Sequence, residues 1–174
     1  MKAMADRIEA WLRGPVPGVP PLLQPVAHAL IEAREELEAA VGTLTPDEIW
    51  SAPNGAASVG YHLRHLAGAL DRLLTYARGE RLSEAQRAAL LAESSAPDPR
   101  PAAADLLAAV GAAVDRALEQ LRSTPESSLL EPRFVGRARL PSTVLGLVFH
   151  AAEHTARHAG QVVTTVKIAK ARAG

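Results

Sequence analysis

Apolar residues recur at every third or fourth position through four segments of this 174-residue chain. That spacing places them along one side of an α-helix, so each segment predicts a long helix with one buried stripe. The segments cover about residues 22–42, 58–79, 101–122 and 141–170. Helices of this kind bury their stripes against one another, and the chain is long enough to form one such core. The pattern therefore predicts an all-α fold in a single domain over residues 1–174.

Shorter segments precede and connect these helices. Met4, Ile8, Trp11 and Leu12 lie at helical spacing and predict a short N-terminal helix, which the proline-rich arm at residues 14–21 ends. This helix and the arm together make up residues 1–21 of the predicted domain. They are expected to be accessory to the bundle.

Two capping boxes and one long connection complete the predicted elements. Thr45 with Glu48, and Ser83 with Gln86, have the spacing that opens a helix and so predict two minor helices. Residues 123–140 are expected to form a long loop. Pro141 then suits the first turn of the last helix.

The charged side chains balance, with 19 lysines and arginines against 19 aspartates and glutamates. A chain without a net positive field has no general attraction for a phosphate backbone, so we expect no nucleic-acid partner. No segment reaches the roughly 18 uncharged apolar residues of a transmembrane helix, and the N-terminus does not resemble a signal peptide. We therefore expect a cytoplasmic protein that does not contact the membrane.

The chain has six histidines and no cysteine, so a metal site would have to use imidazole and carboxylate ligands. His150, His154 and His158 follow one another at four-residue steps in the last predicted helix. Because each residue advances about 100° around a helix, these side chains share a face, and Gln161 lies about 20° from His154. The spacing of His154 and His158 favours chelation of a metal ion.

A catalytic divalent ion commonly takes three protein ligands, so a third must come from elsewhere. The second predicted helix offers His62 and His65, and helical bundles often assemble metal sites from facing helices. We prefer His65, because Leu66 and its apolar neighbours place that flank against the core. The ordinary alternative is that each histidine is a hydrogen-bonded or half-exposed residue. Its weakness is that five of the six fall in only two segments.

Residues 58–68 (SVGYHLRHLAG) and 154–161 (HTARHAGQ) resemble the two hallmark motifs of the DinB/YfiT-like superfamily. The resemblance covers nearly the whole chain and implies a four-helix bundle with up-down-down-up topology. It also implies a three-histidine metal site, with His65, His154 and His158 as ligands. The implied cofactor is one divalent ion, with nickel or zinc favoured over manganese or iron, and the implied assembly is a homodimer.

Several members of that superfamily are thiol transferases or thiol-dependent isomerases that use bacillithiol, mycothiol or glutathione. The resemblance therefore implies a small-molecule substrate with a low-molecular-weight thiol as cosubstrate. Three neutral imidazoles leave the full charge on a metal ion, which would acidify a bound water or thiol. We expect a metal-dependent transferase or hydrolase. The alternative is a non-catalytic metal- or ligand-binding bundle that acts as a dimeric binding or stress protein.

Four further residues are expected to surround the ligands or contact substrate, namely Gln161, His150, His62 and Tyr61. Arg72 lies on the same side of its helix as His65, but its ordinary interpretation, a solvated arginine, is the one we favour. His28 is expected to be structural. Glu153 points about 100° away from His154, so the histidine motifs contain no carboxylate on the ligand face. This weakens the case for a protease of the H-E-x-x-H type.

Overall fold

The computed structural model describes residues 7–173, with side chains through Ala171. Four long helices dominate this part of the chain and confirm the all-α prediction. They coincide with the four periodic segments to within three residues at each end. The α-helices of the described residues are α1 (Gln24–Val41), α2 (Pro46–Trp50), α3 (Val59–Ala77), α4 (Glu84–Ala92), α5 (Ala103–Ser123) and α6 (Val144–Ala173).

The four long helices form a bundle in which α1 and α3 each pack against both α5 and α6. Near the end of α6, Lys170 donates a hydrogen bond to the Thr43 hydroxyl, just after the end of α1. Near the end of α5, Gln120 donates to the Leu74 carbonyl near the end of α3. Helix α1 is therefore parallel to α6, and α3 is parallel to α5.

The two parallel pairs run in opposite directions. Just before α1, the backbone N–H of Leu22 donates to the carboxylate of Glu126, which follows α5. The start of one helix thus lies beside the end of the other. The topology is up-down-down-up, as the family resemblance implied.

The apolar stripes meet in one buried cluster between the long helices. Helix α4 stands outside it and buries none of its own residues, although Glu93, the residue that follows it, is buried. None of the helices among residues 7–173 combines the length and apolarity needed to cross a lipid bilayer. The largest fully buried side chains are Leu23, Leu30, Leu37, Ile49, Leu63, Leu66, Leu121, Val41, Val59, Val114, Val148 and Val162.

The prediction of a long loop at residues 123–140 is wrong in part. Strand β1 (Pro132–Val135) pairs antiparallel with β2 (Leu140–Thr143) in a hairpin. Pro141 lies opposite Phe134 in this hairpin, and the last helix begins only at Val144. A two-stranded hairpin lets proline avoid donating to the ladder. Strands of four residues also carry too little alternation to stand out from a loop.

The N-terminal prediction is only partly testable, because Met4 lies outside the described residues. Among those described, Ala10–Leu12 form a single 3-10 turn. Ile8, Trp11 and Leu12 are mostly exposed. The arm after them is anchored to the bundle where His28 Nε2 meets the Gly14 carbonyl at 3.0 Å, which fits the structural role expected for that histidine.

Gly60 provides a test of the packing at the start of α3. A Cβ added there would lie 2.8 Å from the Trp50 ring, which is held by its hydrogen bond to the Pro101 carbonyl. We expect Gly60→Ala to lower the free energy of unfolding in urea by about 1–3 kcal/mol. The control is Gly111→Ala in α5, where a Cβ meets nothing within 4 Å. It should raise that free energy by about 0.5–1 kcal/mol. If both substitutions changed the free energy of unfolding in the same direction, the close contact between Gly60 and Trp50 would be contradicted.

Candidate metal centre

His65 on α3 and His154 and His158 on α6 converge between the two helices. Each offers a ring nitrogen within 4.8 Å of those of the other two. His65 Nε2 lies 2.9 Å from His154 Nε2. Nitrogens bound to one ion at about 2.1 Å lie roughly 3–4 Å apart, which is comparable to the spacing of these three rings. The donor set therefore fits a divalent transition metal.

Local structure explains why the rings meet. His154 and His158 are one turn apart on α6, and their ring centroids are 4.5 Å apart. Ala151 and Ala159 are buried on the same helix and bring no bulk to the site. Because α3 runs antiparallel to α6, His65 lies opposite this pair, with its ring centroid 4.8 Å from that of His158. All three histidines are half-buried.

The surroundings favour the neutral form of His154 and His158, which is the form that binds a metal. Burial, followed by the neighbouring charges of His154, His65 and His62, lowers the pKa of His158 to about 4. Burial and then the charge of His65 also lower the pKa of His154. At neutral pH both rings are therefore unprotonated and keep a lone pair for coordination.

Glu93 is a residue of the centre that the sequence analysis missed. Its Oε2 lies 2.8 Å from His65 Nδ1, and its carboxylate forms an ion pair with Arg72. Both Glu93 and Arg72 are 8% exposed. When His65 Nδ1 donates its hydrogen to the carboxylate, Nε2 is left with the lone pair, on the side of the ring that faces His154.

The solvated interpretation of Arg72 is therefore wrong, because Glu93 covers it. Gly68, one turn before Arg72, makes room for this contact: a Cβ there would lie 2.5 Å from Glu93 Oε1. The pairing of Gly68 and Arg72 on one helical face was visible in the sequence. Glu93 was not, since it follows a helix that buries none of its own residues.

The four residues expected around the ligands have different surroundings in the structure. His62 is buried, and its Nδ1 lies 2.9 Å from His158 Nδ1. Tyr61 stacks on His65, with ring centroids 5.7 Å apart and planes 4° apart. His150 is half exposed: its ring centroid lies 5.6 Å from that of His154, and its Nδ1 lies 3.2 Å from Glu153. Gln161 is exposed and makes no side-chain hydrogen bond within the described part of the chain, so its role stays a prediction.

Comparison with known proteins agrees with this fold. Five chains of solved structure match. One is described as a conserved protein of locus from Enterococcus faecalis; it is 19% identical, has a TM-score of 0.66, and the match covers 86% of this chain and 98% of that chain. At that identity the likeness shows the fold alone. No curated protein matches.

The sequence profile of the DinB superfamily matches residues 29–162. This range is more than half of the chain and includes His65, His154 and His158. It also takes in α3 and α5 whole, with most of α1 and α6. The chain therefore belongs to the DinB superfamily.

Proposed function

We propose that this protein is a metal-dependent enzyme whose divalent ion, nickel or zinc, is held by His65, His154 and His158. The observation that carries the proposal is the convergence of three half-buried imidazoles from two antiparallel helices. When bound, such an ion would supply the positive charge that lowers the pKa of a coordinated water or thiol. Manganese or iron are further ions that this nitrogen donor set could accept.

The chain's own residues would hold and orient this centre. Glu93 accepts the Nδ1 hydrogen of His65 and fixes the ring with Nε2 toward His154. Tyr61 stacks on the same ring and restrains its plane. Arg72 in turn holds the Glu93 carboxylate. Partners of this kind typically determine ligand orientation and metal affinity.

The proposed reaction is the transfer of a group to a low-molecular-weight thiol, or a hydrolysis, with a small molecule as substrate. The chain has no cysteine, so a thiolate nucleophile would have to come from a cosubstrate. All three histidines are only half-buried, so solvent molecules and small solutes reach the cluster. We also propose that the protein forms a homodimer.

To test for catalysis, the zinc- or nickel-loaded protein would be incubated with glutathione, mycothiol or bacillithiol and a panel of electrophiles. We expect product formation at least tenfold faster than with His158→Ala, because the variant loses a ligand that the activated nucleophile depends on. His28→Ala is the control and should keep the full rate. Equal rates for wild type and His158→Ala would contradict an enzyme of this type and favour the non-catalytic binding bundle.

A further inference from the structure

A second candidate binding site lies at the end of α3, away from the histidines. A cavity of about 640 Å³ opens between this end of α3, the segment that leads into α4 and the β-hairpin. Tyr76, which lines it, follows His65 by eleven residues, or about 16 Å along the helix. Its volume is in the range of small-molecule pockets. The guanidinium-bearing residues of its wall are Arg81, Arg87, Arg133, Arg137 and Arg139.

The charge of this arginine cavity is only partly balanced: Arg133 pairs with Glu131 at 2.9 Å, and the wall still carries an excess of guanidinium groups. Glu80 is the carboxylate in the wall, and Arg78 already holds it through contacts of 2.7 and 2.9 Å. Arg81 and Arg137 make no ion pair or hydrogen bond within the described residues. In a chain whose formal net charge is zero, five arginines are thus concentrated around one concave surface. Such a concentration favours an anion.

The hairpin holds one of these arginines, Arg139, in place. The turn between β1 and β2 contains Gly136 and Arg139, both at positive φ. Arg139, at φ 49°, occupies a left-handed conformation that is costly for a residue with a side chain and is often maintained at functional positions. Its guanidinium lies 4.3 Å from the centre of the Phe134 ring, which fixes its direction.

We infer that the arginine cavity binds a small anion of the phosphate class that carries more than one negative charge. Planar guanidinium groups donate paired hydrogen bonds to phosphate oxygens, and several of them can share one polyanion. The cavity favours a soluble phosphorylated molecule over a lipid headgroup, since its ligand would be partly enclosed. This site is independent of the metal centre and of the reaction proposed there.

Isothermal titration with inorganic pyrophosphate, at constant ionic strength, tests the inference. We expect saturable binding to one site on the wild-type protein. Arg137→Ala and Arg139→Gly should each weaken it at least tenfold. Glycine adopts the φ of residue 139 without strain, so the second variant removes the charge and keeps the turn. Arg116→Ala, an exposed arginine on α5, is the control and should change the affinity less than twofold.

Three results would overturn the inference. The first is no saturable binding of pyrophosphate by the folded wild-type protein at millimolar concentration. The second is an equal loss in Arg116→Ala and Arg137→Ala, which would indicate nonspecific attraction. The third is sedimentation with vesicles containing phosphatidic acid in the absence of any binding to free pyrophosphate, because the ligand would then be a lipid headgroup.

Discussion

Replacement of His158 by alanine is expected to weaken zinc or nickel binding by more than about 100-fold, because two imidazoles remain where three are required. His154→Ala and His65→Ala should do the same, since all three rings offer nitrogens to one point. Competition against a chromophoric chelator measures the affinity. Circular dichroism checks that each variant keeps the helical bundle, so that loss of metal is not mistaken for loss of fold.

His28→Ala is the matched control for this series. His28, on α1, is hydrogen-bonded to the Gly14 carbonyl in the N-terminal arm, so its replacement should leave the metal affinity unchanged. The neighbouring His62→Ala identifies the correct ligand on α3. Retention of metal by His65→Ala together with its loss in His62→Ala would show that His62 is the ligand. His62 must be tested beside His65 because its Nδ1 also lies within hydrogen-bond distance of His158 Nδ1.

Replacement of Glu93 by alanine is expected to have two separate effects. It leaves the buried Arg72 guanidinium without its partner, which should lower the free energy of unfolding by about 3–5 kcal/mol. It also removes the acceptor of His65 Nδ1, which should weaken zinc binding by about 10- to 100-fold. Urea denaturation measures the first effect and chelator competition measures the second.

Two further variants separate these effects. Glu93→Gln keeps an oxygen that can accept the His65 hydrogen but loses the negative charge that pairs with Arg72. We therefore expect its free energy of unfolding to fall nearly as much as in Glu93→Ala, and its zinc affinity to fall less. Glu119→Ala removes a carboxylate that pairs with Arg122 at 3.2 Å on the surface. It should lower the free energy of unfolding by no more than about 1 kcal/mol. A Glu93→Ala protein as stable as Glu119→Ala, with wild-type zinc affinity, would contradict the role given to Glu93.

The sequence predicts the long helices well because periodicity directly records which side of each helix is buried. The histidine pair of α6 was visible for the same reason, since His154 and His158 repeat at one helical turn. The choice of His65 needed an argument about facing helices, and the structure places its ring beside the pair. Periodicity does not record helix direction, so the up-down-down-up topology came from the family resemblance alone.

Two features depend on contacts that no local pattern records. Glu93 reaches His65 from 28 positions later in the chain, after a helix whose own residues are exposed. The hairpin at residues 132–143 depends on four-residue strands and on a turn in which Arg139 takes a conformation more typical of glycine. Long-range pairing and an uncommon backbone conformation of this kind are determined by the folded chain as a whole.

The metal content of the protein, purified without an affinity tag and dialysed after loading with zinc, nickel or manganese, tests the proposed centre most directly. Inductively coupled plasma mass spectrometry should find one ion per chain in the wild type and almost none in His158→Ala. A folded wild-type protein that retains neither nickel, zinc nor manganese would contradict the proposal that His65, His154 and His158 form a metal centre.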